Sequence, residues 1–258
     1  MIDEKLGALD EKRRMVDIII PTYENVGMMM ACIKGILRYT GHNPDNPFFH
    51  IWVVNNGEAG QLEKAIGDSP YVTALQEDHN AGWEDAIRDA LPYTSAPIVC
   101  VMNDDASPVP GNPGWLWTMV KSFWEKPEYG AFGPLSNYAM GFQNFIQFPG
   151  NKLATTSVLS GFCLFLRRDA LLQAGGFAEG MEGGGDDVDL AIRMKNAGWK
   201  LGIRGDVFIY HVGCATGNRL HNDWQGKEKE WRMRRQLIKS YGLKAFCDTY
   251  QVFAEPVE

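Results

Sequence analysis

The sequence predicts an α/β fold with a mostly parallel central sheet, and two observations carry that expectation. Short β-branched runs alternate with stretches of helical spacing through residue 102, which is the signature of βαβ units. Three of the first four runs end in polar clusters, Thr22-Tyr23-Glu24, Asn55-Asn56 and Asn103-Asp104-Asp105. In open parallel sheets ligands bind beyond the carboxyl ends of the strands. These clusters are therefore expected to line one common cleft.

Taken in order, residues 1 to 14 are a polar leader, and Val16 to Ile20 forms a buried strand that Pro21 should stop. Over residues 26 to 39, Val26, Met29, Met30, Ile33, Ile36 and Leu37 recur at helical spacing. His50 to Val54 is a second strand before the turn Asn55-Asn56-Gly57, and residues 59 to 67 a short helix. Val72 to Gln76, residues 83 to 91 and Ile98 to Met102 continue as strand, helix and strand. The second half is less regular. A helix is expected from Pro113 to Glu125, and residues 134 to 152 lack periodicity and mix aromatics with Asn, Gln and Gly. A loop of that length is usually functional or disordered. Val158 to Leu166 is expected as a strand and Asp169 to Ala174 as a short helix. Gly183-Gly184-Gly185 leads into a helix from Asp186 to about Ala197, then a strand over 200 to 212 and a helix over 227 to 247.

The chain has 258 residues, enough for one large domain, with a formal net charge of -7. An acidic chain is a poor nucleic-acid binder, since that binding relies on Lys and Arg against phosphates, and no stable nucleic acid partner is predicted. Cys32, Cys100, Cys163, Cys214 and Cys247 are scattered and form no CxxC, which argues against a disulfide scaffold or a zinc-thiolate site. The N-terminus lacks the apolar core of a signal peptide, and no run is long enough to span a membrane. These features predict a cytoplasmic protein.

Two acidic clusters hold the chemistry. Asp104 and Asp105 sit side by side where a buried strand ends. Asp commonly caps turns, but adjacent like charges repel, and a bound cation would relieve them. Hard carboxylate oxygens suit Mg2+ or Mn2+, which in turn hold phosphates. In the second cluster, Asp186, Asp187 and Asp189 open a helix, where the dipole favours negative charge. Asp187 shares the inward face of Leu190, Ala191 and Met194, a candidate general base. Asp189 lies roughly 200° away around the helix and is expected as a solvated, capping or supporting carboxylate. His211 follows a strand, in a setting that suits a structural residue as well as a ligand.

The ordered pieces PTYEN, VVNNG, HNAGWEDAI, VMNDDA, LSGFCLFLRRDAL, GGFAEGM, GGGDDVDLAIRMKNAGW and IYHVG resemble a family 2 glycosyltransferase of the GT-A fold over about residues 15 to 215. The resemblance implies a Rossmann-like sheet flanked by helices, with a smaller acceptor-side sheet and a C-terminal helix. It divides a single GT-A domain into a nucleotide-sugar half (15–105), an acceptor and catalytic half (106–218) and a basic helical tail (219–258). It also implies metal-dependent transfer of a sugar from a nucleotide-diphosphate sugar to a hydroxyl acceptor, with inversion, and Mn2+ or Mg2+ as cofactor. By position in the motifs, Asp105 and His211 would hold the metal, and Asp187 would be the base, paired with Asp186. Pro21, Thr22, Tyr23 and Glu24 would flank the nucleoside, with Asn55 at its base. Asn80 and Gly82 would meet the nucleotide, and Asn103 and Asp104 would contact ribose or sugar hydroxyls. Asn55 stands where family members often carry Asp, Glu24 where Asn is frequent, and Asp186 where Glu is usual.

Tyr138, Phe142, Phe145 and Phe148 are equally a sugar-stacking surface or an apolar lid. The stretch holding Arg219, Lys227, Lys229, Arg232, Arg234, Arg235, Lys239 and Lys244 reads first as a solvated face. The alternative is contact with a phosphate-bearing acceptor or a membrane surface. Four other functional readings stay open: a retaining transferase, a nucleic-acid-modifying transferase, a nucleotidyltransferase, and a non-catalytic nucleotide-sugar-binding module. The nucleotidyltransferase lacks its expected Gly-rich loop after the first strand, where Pro21-Thr22-Tyr23-Glu24-Asn25 stands instead.

Overall fold

The computed structural model describes residues 14–40, 48–112, 114–148, 150, 152–181, 184–213, 223–250 and 254–256. Residues 1–13 of the leader, Pro113, Gly183, Cys214 and Arg219 lie outside the described residues, as do the side chains of Lys227 and Lys229. Strands β1 (Arg14–Thr22), β2 (Phe48–Asn55), β3 (Val72–Gln76) and β4 (Ile98–Met102) pair in parallel in the order β3-β2-β1-β4. Helices α1 (Val26–Thr40), α2 (Gln61–Ile66) and α3 (Trp83–Ala90) make the crossovers.

The strand period of two sorts β1 between two apolar layers. Val16, Ile18 and Ile20 point to one side, where they join Met29, Cys32, Ile33 and Ile36 of α1. That layer also takes Trp115, Leu116, Met119 and Phe123 from α4 (Trp115–Glu125). Ile19 points to the other side with Ala86, Ile87 and Ala90 of α3. Asp17 is fully buried on that second face. It accepts hydrogen bonds from the Ser95 and Ala96 amides and from Trp52 Nε1, with Arg168 at 3.5 Å.

Pro21 does not stop β1. The Asn56 amide donates to the Thr22 carbonyl, so Thr22 faces β2. Alternation then turns Pro21 towards β4, where the β1–β4 ladder has already ended at Ile19↔Val101. A missing N–H costs nothing at that position.

Beyond β4 the same sheet continues through β8 (Cys163–Arg167), β6 (Tyr129–Leu135), β9 (Lys200–His211), β7 (Leu153–Thr156) and β10 (Ala254–Pro256). β8 and β7 run against their neighbours, whereas β6 and β9 are parallel to each other. The expected smaller sheet is a two-stranded ribbon in which β5 (Ala106–Pro108) pairs the distal end of β9. β6 and β7 are additions to the sequence reading. Gly130 and Gly133 disguise β6: a Cβ at Gly133 would stand 2.3 Å from Gln143 Nε2, so the position is kept bare for close packing. The expected strand over 158 to 166 begins only at Cys163. Residues before it bond outside the sheet instead: Ser157 Oγ to the Thr249 carbonyl, the Ser160 amide to Gln143 Oε1, and the Phe162 carbonyl to the Asn103 amide.

Helices α5 (Arg168–Gln173) and α6 (Asp186–Asn196) cover the second half of the sheet. Helix α7 (Asp223–Tyr250) packs on α6 and is interrupted at Gly242. Met233, Leu237 and Phe246 bury its apolar side. Arg234 pairs with Glu230, and Lys244 with Asp248, along its outer side. Among the described residues no helix is long and apolar enough to cross a membrane.

Candidate active site

The turn after β4 is tight because the Ala106 amide returns to the Asn103 carbonyl at 3.2 Å. It delivers three polar side chains to the carboxyl end of the sheet. Asp104, buried, accepts from Thr22 Oγ1 at 2.7 Å, which ties the ends of β1 and β4 together. Asp105, also buried, has Oδ1 3.1 Å from His211 Nε2, and its Oδ2 accepts from the Gly213 amide at 3.1 Å. Asn103 is oriented by Trp83, whose Nε1 donates to Oδ1 at 3.0 Å. Indole N–H can only donate, so the Asn103 amide nitrogen faces His211 Nε2, 3.4 Å away.

The tautomer of His211 follows from the same logic. Nδ1 lies 2.7 Å from the Tyr138 carbonyl oxygen. A carbonyl only accepts, so Nδ1 carries a proton, and in the neutral ring Nε2 then presents a lone pair. That lone pair meets the Asp105 carboxylate. In that tautomer a lone pair and a carboxylate face each other, an arrangement that a cation shared between them relieves. Phe162 stacks on the imidazole, with centroids 5.0 Å apart and planes at 16°, which fixes the ring plane.

Asp105 and His211 are thus a nitrogen–oxygen donor pair of the kind a divalent ion takes. Among the described residues no group of three or more His, Cys, Asp and Glu side chains gathers round one point. An ion held here would complete its shell with phosphate oxygens and water, as Mg2+ commonly does.

The second acidic cluster opens α6. Gly184 (φ 97°) and Gly185 (φ 90°) turn the chain into the helix, and Gly185 lies so close to α7 that a Cβ would sit 2.4 Å from Met233 Cγ. Asp187 does face inward, above a pocket lined by Leu159, Leu164, Leu190, Ala191 and Met194. This apolar burial raises its carboxyl to about 6, against the pull of the Val188, Asp187 and Gly161 amides. Val188 N–H donates to its Oδ1 at 2.8 Å. The Asp186 carboxyl is pushed well above its ordinary value, first by burial and then by the charges of Asp187 and Glu84. Burial also raises Glu84, in the first turn of α3, a carboxylate that the sequence motifs do not single out.

Asp189 corrects the solvated alternative. It is 4% exposed, paired to Arg193 at 2.5 Å, and accepts from Tyr241 Oη at 2.5 Å. Arg193 reaches on to the Ala174 and Gly176 carbonyls. The face opposite Asp187 is covered by α7, which the helical phase of α6 alone could not reveal.

Trp83 joins the two clusters. Its Nε1 edge holds Asn103, while its Cη2 stands 3.2 Å from where a Gly161 Cβ would lie, and Asp186 Oδ2 is 3.8 Å from that same point. The residues that the motifs assign to the nucleotide also gather here. Asn56 grips the Asn80–Gly82 loop, donating from Nδ2 to the Gly82 carbonyl and accepting the Ala81 amide. Asn80 Oδ1 accepts the Gly82 amide at 3.1 Å. Asn55 is buried; its Nδ2 donates to Gln76 Oε1 and the Glu58 carbonyl, and its Oδ1 takes the Gly57 amide. Pro21 is buried, Tyr23 half-buried and Glu24 exposed, with a left-handed backbone (φ 49°). Asn56, Asn137, Tyr138 and Phe162 complete the setting. Of these, Asn56 is marked in the sequence as part of a polar strand end and Tyr138 as one ring of a stacking surface or lid; Asn137 and Phe162 are not singled out.

A parallel four-stranded half-sheet, an acidic turn at the end of its fourth strand and a second acidic helix start fit the GT-A class of glycosyltransferase folds. The mannosyltransferase PcManGT from Pyrobaculum calidifontis, solved in complex with GDP-Man and Mn2+, superposes with a TM-score of 0.62 at 18% identity, covering 95% of this chain and 80% of that one. GalNAc-T7 with UDP, GalNAc and Mn2+ gives a TM-score of 0.63 at 13% identity, over 78% of this chain and 44% of that one. Residues 17–172 match the glycosyl transferase family 2 model, and the chain belongs to that family. The O-antigen biosynthesis protein RfbC of Myxococcus xanthus is 22% identical over 229 residues, 78% of this chain and 17% of that protein. The chain spans between 17% and 27% of the length of the first curated relatives it matches.

Proposed function

We propose that the chain is a metal-dependent, inverting glycosyltransferase that moves a sugar from a nucleotide-diphosphate sugar to a hydroxyl acceptor. The observation that carries this reading is the Asp105–His211 contact, a carboxylate and an imidazole nitrogen 3.1 Å apart that together suit a divalent ion, joined through Trp83 to a half-buried carboxylate pair. Family membership and the Mn2+ and nucleotide ligands of the two solved relatives support it.

Asp105 and His211 would hold Mn2+ or Mg2+. When bound, the ion supplies positive charge against the departing diphosphate. Thr22 and Asp104 lock the mouth of the sheet, and Asp104 offers its remaining lone pairs to donor hydroxyls. Pro21, Tyr23 and Glu24 border the nucleoside. Asn55 shapes that border and keeps one Oδ1 lone pair for a base N–H. Asn80 and Gly82, in the turn that leads into α3, border the nucleotide. Asn103 lies between the ion site and the sugar.

Asp187 is the general base. A carboxyl raised to about 6 is ionised at neutral pH yet more basic than a free Asp. It takes the proton of the acceptor hydroxyl as that oxygen attacks the anomeric carbon from the face opposite the diphosphate. Asp186 and Glu84 keep the Asp187 environment acidic and hold sugar hydroxyls.

The test is the slow hydrolysis of donors, with water as acceptor, across a panel of GDP- and UDP-sugars with Mn2+. NMR should show the released sugar first in the anomeric configuration opposite to that of the donor. First release of the donor's own configuration would refute inversion. Equal hydrolysis rates in EDTA would refute metal dependence.

A further inference from the structure

The last residue of β9 is held in an unusual way. The backbone ladder between β6 and β9 ends at Leu135↔Phe208, three residues short of His211. On the opposite edge, β5 remains in place, pairing Ala106 with His211, and the Val212 amide donates to the Asp105 carbonyl. On the β6 side the missing strand is replaced by one side chain. Asn137 Nδ2 donates to the His211 carbonyl at 2.8 Å, and the His211 amide donates to Asn137 Oδ1 at 2.9 Å. A carboxamide carries the donor and acceptor of a peptide group at peptide spacing. Asp lacks the donor and Leu lacks both.

The next residue, Tyr138, supplies the carbonyl that takes the Nδ1 proton. One dipeptide therefore fixes both the main chain and the ring tautomer of His211. Outer partners of this kind commonly set the orientation and affinity of a metal-ligating histidine.

We propose that Asn137 is a positioning residue for the divalent-cation site, its amide standing in for an absent strand so that His211 Nε2 meets Asp105. This rests on the reading of Asp105 and His211 as the cation's ligands.

The test measures Mn2+ binding without substrate, from the EPR signal of free Mn2+, on the wild-type chain, Asn137→Leu, Asn137→Asp and His211→Ala. Asn137→Leu and Asn137→Asp should each weaken Mn2+ binding about 10- to 100-fold. Their metal-free nucleotide affinity should stay at the wild-type level, and turnover should recover at saturating Mn2+. A purely structural role would not give that rescue. Wild-type Mn2+ affinity in either Asn137 variant, with His211→Ala impaired, overturns the positioning role alone. Unimpaired affinity in His211→Ala overturns the ligand reading and this proposal with it. If the Asn137 variants fail to fold, 15N NMR of the wild-type chain decides the point. A proton on His211 Nδ1 in the metal-free protein is expected, and an unprotonated Nδ1 overturns the clasp.

Discussion

Asp187→Asn separates what the carboxylate does for chemistry from what it costs the fold. Burial over the apolar pocket lifts its carboxyl from 3.8 to about 6. That is a rise of about two pH units at about 1.4 kcal/mol each, or about 3 kcal/mol of strain when the group is ionised. The folded value exceeds the unfolded one, so between pH 3.8 and about 6 the native state binds the extra proton. Wild-type stability therefore falls as pH rises through that window. Asparagine removes the charge and keeps one acceptor for the Val188 amide. Its unneeded NH2 group over the apolar pocket takes back part of the gain, leaving about 1–2 kcal/mol at pH 8. Urea denaturation of both proteins at several pH values measures the difference. The variant should be the more stable at pH 8, and the gap should close towards pH 4. Turnover should drop about 100- to 10,000-fold with donor-nucleotide affinity retained. A variant no more stable at pH 8, or one with wild-type turnover, refutes this account of Asp187.

Two further outcomes follow from the same geometry. The rate of sugar transfer by the wild-type chain should rise with pH along an acid limb centred near 6, belonging to the Asp186–Asp187 pair as a unit; a limb near pH 4 would mean the base is solvated. Gly185→Ala places a methyl 2.4 Å from Met233 Cγ at a φ of 90°, which costs about 2–4 kcal/mol from backbone strain and overpacking. Thermal unfolding should show a loss of several degrees, and an unchanged midpoint would mean that α7 does not press on the start of α6.

The sequence makes β1 to β4 legible because each is a continuous apolar run with a polar end, and the structure keeps that order. It hides β6, where Gly130, Gly133 and Pro134 interrupt the pattern for reasons that lie in Gln143 and Trp199 across the fold. Helical phase alone assigns Asp187 to the interior. The same phase leaves Asp189 open to solvent, because the partner that buries it, Tyr241, is 52 residues away. Asn137 is the clearest omission: its only sequence context is an aperiodic loop, and its partner lies 74 residues downstream. Local pattern can find acidic strand ends, but it cannot say which distant amide holds them in place.

The central claim is that Asp105 and His211 hold a divalent ion against a nucleoside diphosphate. Calorimetric titration of GDP and UDP into the wild-type chain and Asp105→Ala, with and without Mn2+, tests it most directly. At least one of the two should bind the wild-type chain at least ten times more tightly with Mn2+ than without, and Asp105→Ala should lose that gain. Affinities that do not change with the ion or the substitution would contradict the claim.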